Sequence, residues 1–286
     1  MSVGLAAVLP AAFREEDTIK EHPLTEYLWS DLKVRRTALS LWAEDLAPVL
    51  GLDLTRYRTF ETGGRDLRGA AAGIVDEVIA MEAFVAGEVA RLIEDQPDAG
   101  TVVLHAVLDQ NTFIERYPHA RTLHAGRPYP MTLHHVAVGR AAAELRRRGL
   151  EVEVYRGDRY FDLAAARLAV GLGKKETAKL LGLNERTYNA SEKGTLPGAL
   201  ATMKDLQALD DFINNAAARF EVTAGDGGVS VIWVLDDQDE FEKTYPEARF
   251  ERSGTPYPVR MLQVAAARRV HALDAAGQPA RIAVDD

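Results

Sequence analysis

Ala166-Arg167-Leu168-Ala169-Val170-Gly171-Leu172-Gly173-Lys174-Lys175-Glu176-Thr177-Ala178-Lys179-Leu180-Leu181-Gly182-Leu183-Asn184-Glu185-Arg186-Thr187-Tyr188-Asn189-Ala190-Ser191-Glu192-Lys193-Gly194 carries the pattern of two short helices meeting at a tight turn. Short apolar-periodic runs flank Gly182, which supplies the permissive backbone that ends one helix, while Asn184 is a residue type that caps the next. Ala178, Leu181, Leu183 and Tyr188 then face one another and hold the two helices at a steep angle. Lys174, Lys175, Glu185, Arg186, Thr187, Asn189 and Lys193 are left on the other side.

Outward from this stretch the chain repeats itself. Phe113-x-x-x-Tyr117-Pro118-x-Ala120-Arg121 and Gly126-x-Pro128-Tyr129-Pro130 return at a constant offset as Phe241-x-x-x-Tyr245-Pro246-x-Ala248-Arg249 and Gly254-x-Pro256-Tyr257-Pro258. Val136-Ala137, Arg140, Leu145 and Gly149 continue the register onto Val264-Ala265, Arg268, Leu273 and Gly277. Upstream, after a small shift, Gly51-Leu52, Tyr57, Glu61 and Gly63 match Gly182-Leu183, Tyr188, Glu192 and Gly194, which places a few extra residues of the first copy around Gly64 to Gly69. Such self-similarity sets the architecture before any element is assigned.

The expected fold class is α+β, mainly α, built as two tandem modules. An N-terminal extension, 1–31, expected to be flexible, precedes module one at 32–158 (helix pair 32–65, remainder 66–158) and module two at 159–286 (helix pair 159–198, remainder 199–286). Each module is expected to run through three short helices and then a long amphipathic helix. In the first this helix carries Ile74, Val78, Met81, Val85, Val89 and Leu92; in the second, Met203, Leu206, Leu209, Phe212, Ala216 and Phe220. A strand–helix–helix–strand unit closes each module, with strands at Val102 to Leu108 and Val152 to Tyr155, or Val229 to Leu235 and Arg281 to Val284. The repeated Tyr-Pro and Pro-Tyr-Pro elements read as structural punctuation.

The decisive stretch resembles the Cro/lambda-repressor-like, or XRE-type, helix-turn-helix. In that class an arginine of the first helix pairs with a glutamate ending the recognition helix; Arg167 and Glu192 stand at those positions, and Arg36 and Glu61 stand there in copy one. The resemblance implies double-stranded DNA as partner. Lys174 would lie near phosphate or a base edge, Asn184, Glu185, Arg186, Thr187 and Asn189 at the start of the recognition helix, and Lys175, Lys179 and Lys193 on phosphates. In copy one Thr55, Arg56 and Arg58 offer the same chemistry, but Pro48 falls inside helix two and Ala43 replaces a polar residue at its start, so copy one reads either as a working reader or as a degenerate one. The order of elements in each module also resembles the anti-CRISPR-associated repressors, whose C-terminal unit forms a homodimer. That implies intramolecular pairing of the two C-terminal units here, a covalent pseudo-dimer on an imperfect inverted repeat with unlike half-sites, and a monomer or weak homodimer.

Charge argues the other way. The chain of 286 residues carries a net charge of −9, whereas DNA-binding domains usually show a basic footprint. The local balance answers this: Arg167, Lys174, Lys175, Lys179, Arg186 and Lys193 exceed the acids of their segment, and Lys33, Arg35, Arg36, Arg56, Arg58 and Arg65 do so in copy one. Absence of cysteine removes disulfide frameworks and thiolate zinc sites and fits a cytoplasmic setting. Gly4 to Phe13 is too short and too poorly flanked for a signal peptide, and no run approaches the ~20 apolar residues of a membrane span. His134 and His135 are adjacent and cannot face one ion, and His105, His119 and His124 become Trp233, Glu247 and Arg252 in the second copy, so no shared metal site, no cofactor and no enzymatic activity are expected. The competing reading is an antitoxin-like or protein-binding adaptor; RNA binding is less favoured because no aromatic stacking platform shows in the sequence.

Overall fold

The structure, a computed structural model, describes residues 27–62, 67, 70–94, 96–97, 99–193, 199–225 and 228–285. Most of the expected N-terminal extension, the expected copy-one insertion apart from Leu67, and Gly63, Arg65 and Gly194 lie outside the described residues.

The fold is α+β and mainly helical. Three short helices come first, α1 (Trp29–Ala38), α2 (Ala43–Leu50) and α3 (Leu54–Thr62), followed by the long α4 (Ala70–Glu94). Strand β1 (Thr101–Ala106), helices α5 (Gln110–Arg116) and α6 (Thr132–Arg147), and strands β2 (Glu151–Arg156) and β3 (Arg159–Tyr160) come next. The order then recurs with α7 (Asp162–Ala169), α8 (Lys174–Leu180), α9 (Glu185–Glu192), α10 (Ala199–Arg219), β4 (Thr223–Ala224), β5 (Ser230–Leu235), α11 (Gln238–Thr244), α12 (Arg260–Ala275) and β6 (Ala280–Asp285).

Each three-stranded sheet contains one parallel pair, β1 with β2 and β5 with β6, because the two intervening helices provide the crossover that parallel strands require. Two short strands were not foreseen. β3 pairs antiparallel with β2, and β4 with β5. The expected module boundary after residue 158 therefore cuts a hairpin, and Arg159–Tyr160 belong with the unit before them.

The same local geometry appears in both halves. Phe84 meets Phe113, Tyr117 and Tyr129 edge-on at 5.9, 5.6 and 5.8 Å, and Phe212 meets Phe241, Tyr245 and Tyr257 at 6.1, 6.0 and 5.3 Å. Gln110 ties the loop by donating to the Tyr129 carbonyl and accepting from Met131 N, as Gln238 does with Tyr257 and Val259. The Tyr-Pro and Pro-Tyr-Pro elements are thus core anchors, and edge-on aromatic pairs add ~0.5–1.5 kcal/mol each beyond burial.

The halves join crosswise. α1 packs on α12 and β6, α7 packs on α6 and β2, and α6 and α12 do not form a direct helix pair of comparable extent. Ser30 Oγ donates to Ile282 O, and Ile282 N donates to Asp31 Oδ1 at 3.0 Å. Val154 N likewise donates to Asp162 Oδ1 at 3.1 Å. Val34 and Ala38 of α1 therefore sit in one apolar cluster with Leu209, Ile232, Val264 and Val270, while Ala165 of α7 joins Val102, Leu104, Ala141 and Leu145. This corrects one expectation: residues 27–31 are not all flexible extension, since Ser30 and Asp31 are buried and bonded to Ile282 of β6. The two C-terminal units meet through the first helices and also directly, where Arg147 of α6 lies 3.6 Å from Asp210 and 3.8 Å from Asp211 of α10.

Candidate nucleic-acid interface

The two helix pairs rest on matching buried struts. In copy two Arg167 Nε donates to Glu192 Oε1 at 2.7 Å and Nη1 to the Leu172 carbonyl at 2.7 Å, while the Tyr188 hydroxyl donates to the same carboxylate at 3.0 Å. In copy one Arg36 Nε and Nη2 grip Glu61 at 2.6 and 2.9 Å, Nη1 donates to Leu41 O at 2.6 Å, and Tyr57 donates to Glu61 at 2.9 Å. Burial opposes the charge on Glu192, yet Arg167 and Lys174 outweigh it and hold the carboxyl below its ordinary value. Burial, then Glu192, pushes the Tyr188 hydroxyl up, so it remains a donor. The strut fixes α9 relative to α7 through charge-assisted, geometrically specific bonds.

The turn behaves as its sequence dictates. Gly182 adopts φ +65° and Gly51 φ +76°, the left-handed conformation that closes a helix. Ala178, Leu181 and Tyr188 are buried and Leu183 is half-buried behind the turn. Asn184 caps α9, its Oδ1 accepting from Arg186 N at 2.8 Å, and Asp53 does the same for α3 with Arg56 N at 2.9 Å. Its side-chain oxygen is therefore committed to the cap, which leaves only the amide NH₂ of Asn184 for a base edge. Pro48 does not break α2: it sits in the exposed last turn, its carbonyl takes Gly51 N at 3.1 Å and Arg127, and Leu52 N closes onto Ala47 O at 2.9 Å.

Around the start of α9 an open depression is lined by Asn184, Glu185, Arg186, Asn189, Ala190 and Lys193. Glu185, Arg186, Thr187, Lys175 and Lys193 are exposed and Asn189 half-buried. Lys174 is also exposed, but its Nζ lies 3.0 Å from Glu192 Oε2, so it serves the strut as well as any outer partner. Thr55 and Arg58 are exposed and Arg56 half-buried on α3.

The charge argument for copy one needs correction. Arg35 is fully buried and binds Glu82 at 2.6 Å and Asp274 at 2.8 Å; Arg36 is spent on Glu61; Lys33 faces Asp236 at 3.9 Å. These cations build the interior and the junction between halves. Among the described residues only Arg56 and Arg58 stand on the outer face of α3, and Arg58 is paired with Glu44 of α2.

The sequence reading missed a buried arginine that closes the first helix within each half. Arg140 Nη2 donates to Ala38 O at 2.6 Å and Arg268 Nη2 to Ala169 O at 2.9 Å, each satisfying the carbonyl at the end of a first helix. Arg268 also holds Asp210 at 2.8 Å. Burial pushes Asp31 up to about 6, and burial together with Arg268 lowers Arg140 to about 9. Arg140 and Arg268 were visible as a repeated pair in the sequence, but nothing there showed that each closes the first helix of its own copy. His134 and His135 are buried structural residues: His135 Nε2 contacts Val107 O at 2.9 Å, and burial lowers it to about 4.

No family model, no curated protein and no solved structure matches the chain. Among the described residues no cluster of His, Cys, Asp and Glu is placed to hold a metal ion, and no helix is long and apolar enough to cross a membrane.

Proposed function

We propose that the chain is a sequence-specific double-stranded DNA-binding regulator, a repressor of the XRE-type helix-turn-helix kind, whose two tandem modules act as a covalent pseudo-dimer on an imperfect inverted repeat. One observation carries the reading: Glu185, Arg186 and Thr187 are exposed at the start of a helix whose orientation is fixed by the buried Arg167–Glu192–Tyr188 strut. A side chain that reads a base edge must be accessible and held rigidly, and both conditions are met here. Arg186 is suited to guanine, where a bidentate pair discriminates by ~1–3 kcal/mol, and Lys175, Lys179 and Lys193 flank it as exposed phosphate partners. The crosswise junction supports a fixed separation of the two helix pairs, which a pseudo-dimer needs.

A second reading, the protein-binding adaptor, is favoured by one feature of copy one: Trp42 is 49% exposed beside the acidic start of α2, Glu44 and Asp45. Fluorescence anisotropy with a mixed-sequence duplex across a salt series separates the two. The regulator binds at low salt and weakens steeply, with a slope of about three in log K against log salt if three lysines meet phosphates. Indifference to duplex at low salt supports the adaptor.

A further inference from the structure

We infer that Glu44 silences the copy-one helix pair as a phosphate binder, so that copy two anchors the duplex and copy one sets a deliberately weak second contact. The inference rests on the DNA-binding reading above and adds an order to the two readers. In the repeat register Glu44 stands where copy two has Lys175, and Ala43 where it has Lys174. The start of α2 is therefore Ala43-Glu44-Asp45, two acids and no base, against Lys174-Lys175-Glu176 at the start of α8.

The acids also differ in how they are handled. Glu176 is held by Arg260 from α12 and accepts from Gly173 N, so its charge is offset from within the fold. Arg260 aligns with Thr132, which has no charge to offer Asp45. Glu44 itself reaches across to α3 and pairs with Arg58, one of the two cations on that face. A single carboxylate thus repels phosphate and withdraws a guanidinium from it. Both side chains are more than half exposed, 54% and 56%, so the pair is screened and adds little to stability. An exposed pair that contributes little to the fold yet sits on the proposed contact face acts on recognition.

The test uses the full chain, with Glu44→Gln, Glu44→Lys, Arg58→Ala and Arg186→Ala, binding a mixed-sequence duplex by anisotropy over a salt series, each variant checked for an unchanged melting curve. Glu44→Gln frees Arg58 and raises affinity about threefold; Glu44→Lys raises it about tenfold or more and steepens the salt slope by about one to two, as expected for one or two new phosphate contacts. Arg186→Ala lowers the wild-type affinity, and Arg58→Ala lowers it by less, because Glu44 already withdraws that guanidinium from phosphate. Unchanged affinity and slope in both Glu44 variants overturn the inference, as does an Arg58→Ala loss equal to that of Arg186→Ala. If the wild type ignores duplex while Glu44→Lys binds, silencing stands and the DNA-binding function of the native chain falls. If neither binds, both fall.

Discussion

At the residue scale, the two Arg–Glu struts show how one buried pair organises a surface. Glu192 and Glu61 each accept from an arginine and a tyrosine with almost no exposure. Removing one partner strands the other charge in the interior, so Glu192→Ala is expected to cost about 3–5 kcal/mol in urea unfolding. Arg186→Ala, at an exposed position, is expected to stay within about 0.5 kcal/mol of wild type while weakening DNA binding; equal destabilisation by both would contradict the division between strut and reader. His135 makes an independent prediction. Its folded-state value near 4 lies below the ordinary imidazole value of 6.5, so the unfolded chain binds the extra proton in that window. Stability is then fully present above about pH 6.5 and is lost as pH falls toward 4, by up to about 3 kcal/mol. Its ring resonances in an NMR titration should move near pH 4, and a midpoint above 6 would refute the assignment. The struts were legible because the resemblance to the helix-turn-helix class implies the pairing, and both copies carry its arginine and glutamate at one spacing. The burial of Arg35 was not, because an arginine next to Arg36 on a short helix looks like one more surface cation until its partners Glu82 and Asp274, remote in sequence, are brought to it.

At the element scale, helix and strand identities followed from periodicity and punctuation, but the short edge strands did not. Two-residue strands such as β3 and β4 have no period to read, and they exist because the neighbouring strand offers its edge. Pro48 shows a local rule overridden cheaply: in an eight-residue helix it forfeits one hydrogen bond in an exposed turn. Pro48→Ala should restore that bond and stabilise the chain by about 1–2 kcal/mol, the helix gain offset by a freer unfolded state; a loss of stability by urea unfolding would contradict this. Gly139 is the opposite case. A Cβ there would lie 2.1 Å from the Ala165 carbonyl, so α6 and α7 approach only because position 139 is glycine. Gly139→Ala is expected to cost at least about 1–3 kcal/mol in the same experiment.

At the scale of the whole molecule, α1 completes the C-terminal unit just as α7 completes the one before it. The chain closes on itself, and neither half owns its full core. Heating or urea should therefore give one cooperative transition with coincident probes, and two separable transitions would show that the halves fold independently. This closure was not readable from the repeat: a constant offset says that two units are alike, not which helix each lends to the other. The same rigid frame carries the functional claim, that an exposed Arg186 on a strut-locked helix reads base edges. Selection of bound duplexes from a random library, with wild type and with Arg186→Ala, tests it most directly. Wild type is expected to enrich a motif in which at least one base position loses its preference in the variant. Recovery of no motif, or of the same motif unchanged by Arg186→Ala, would contradict it.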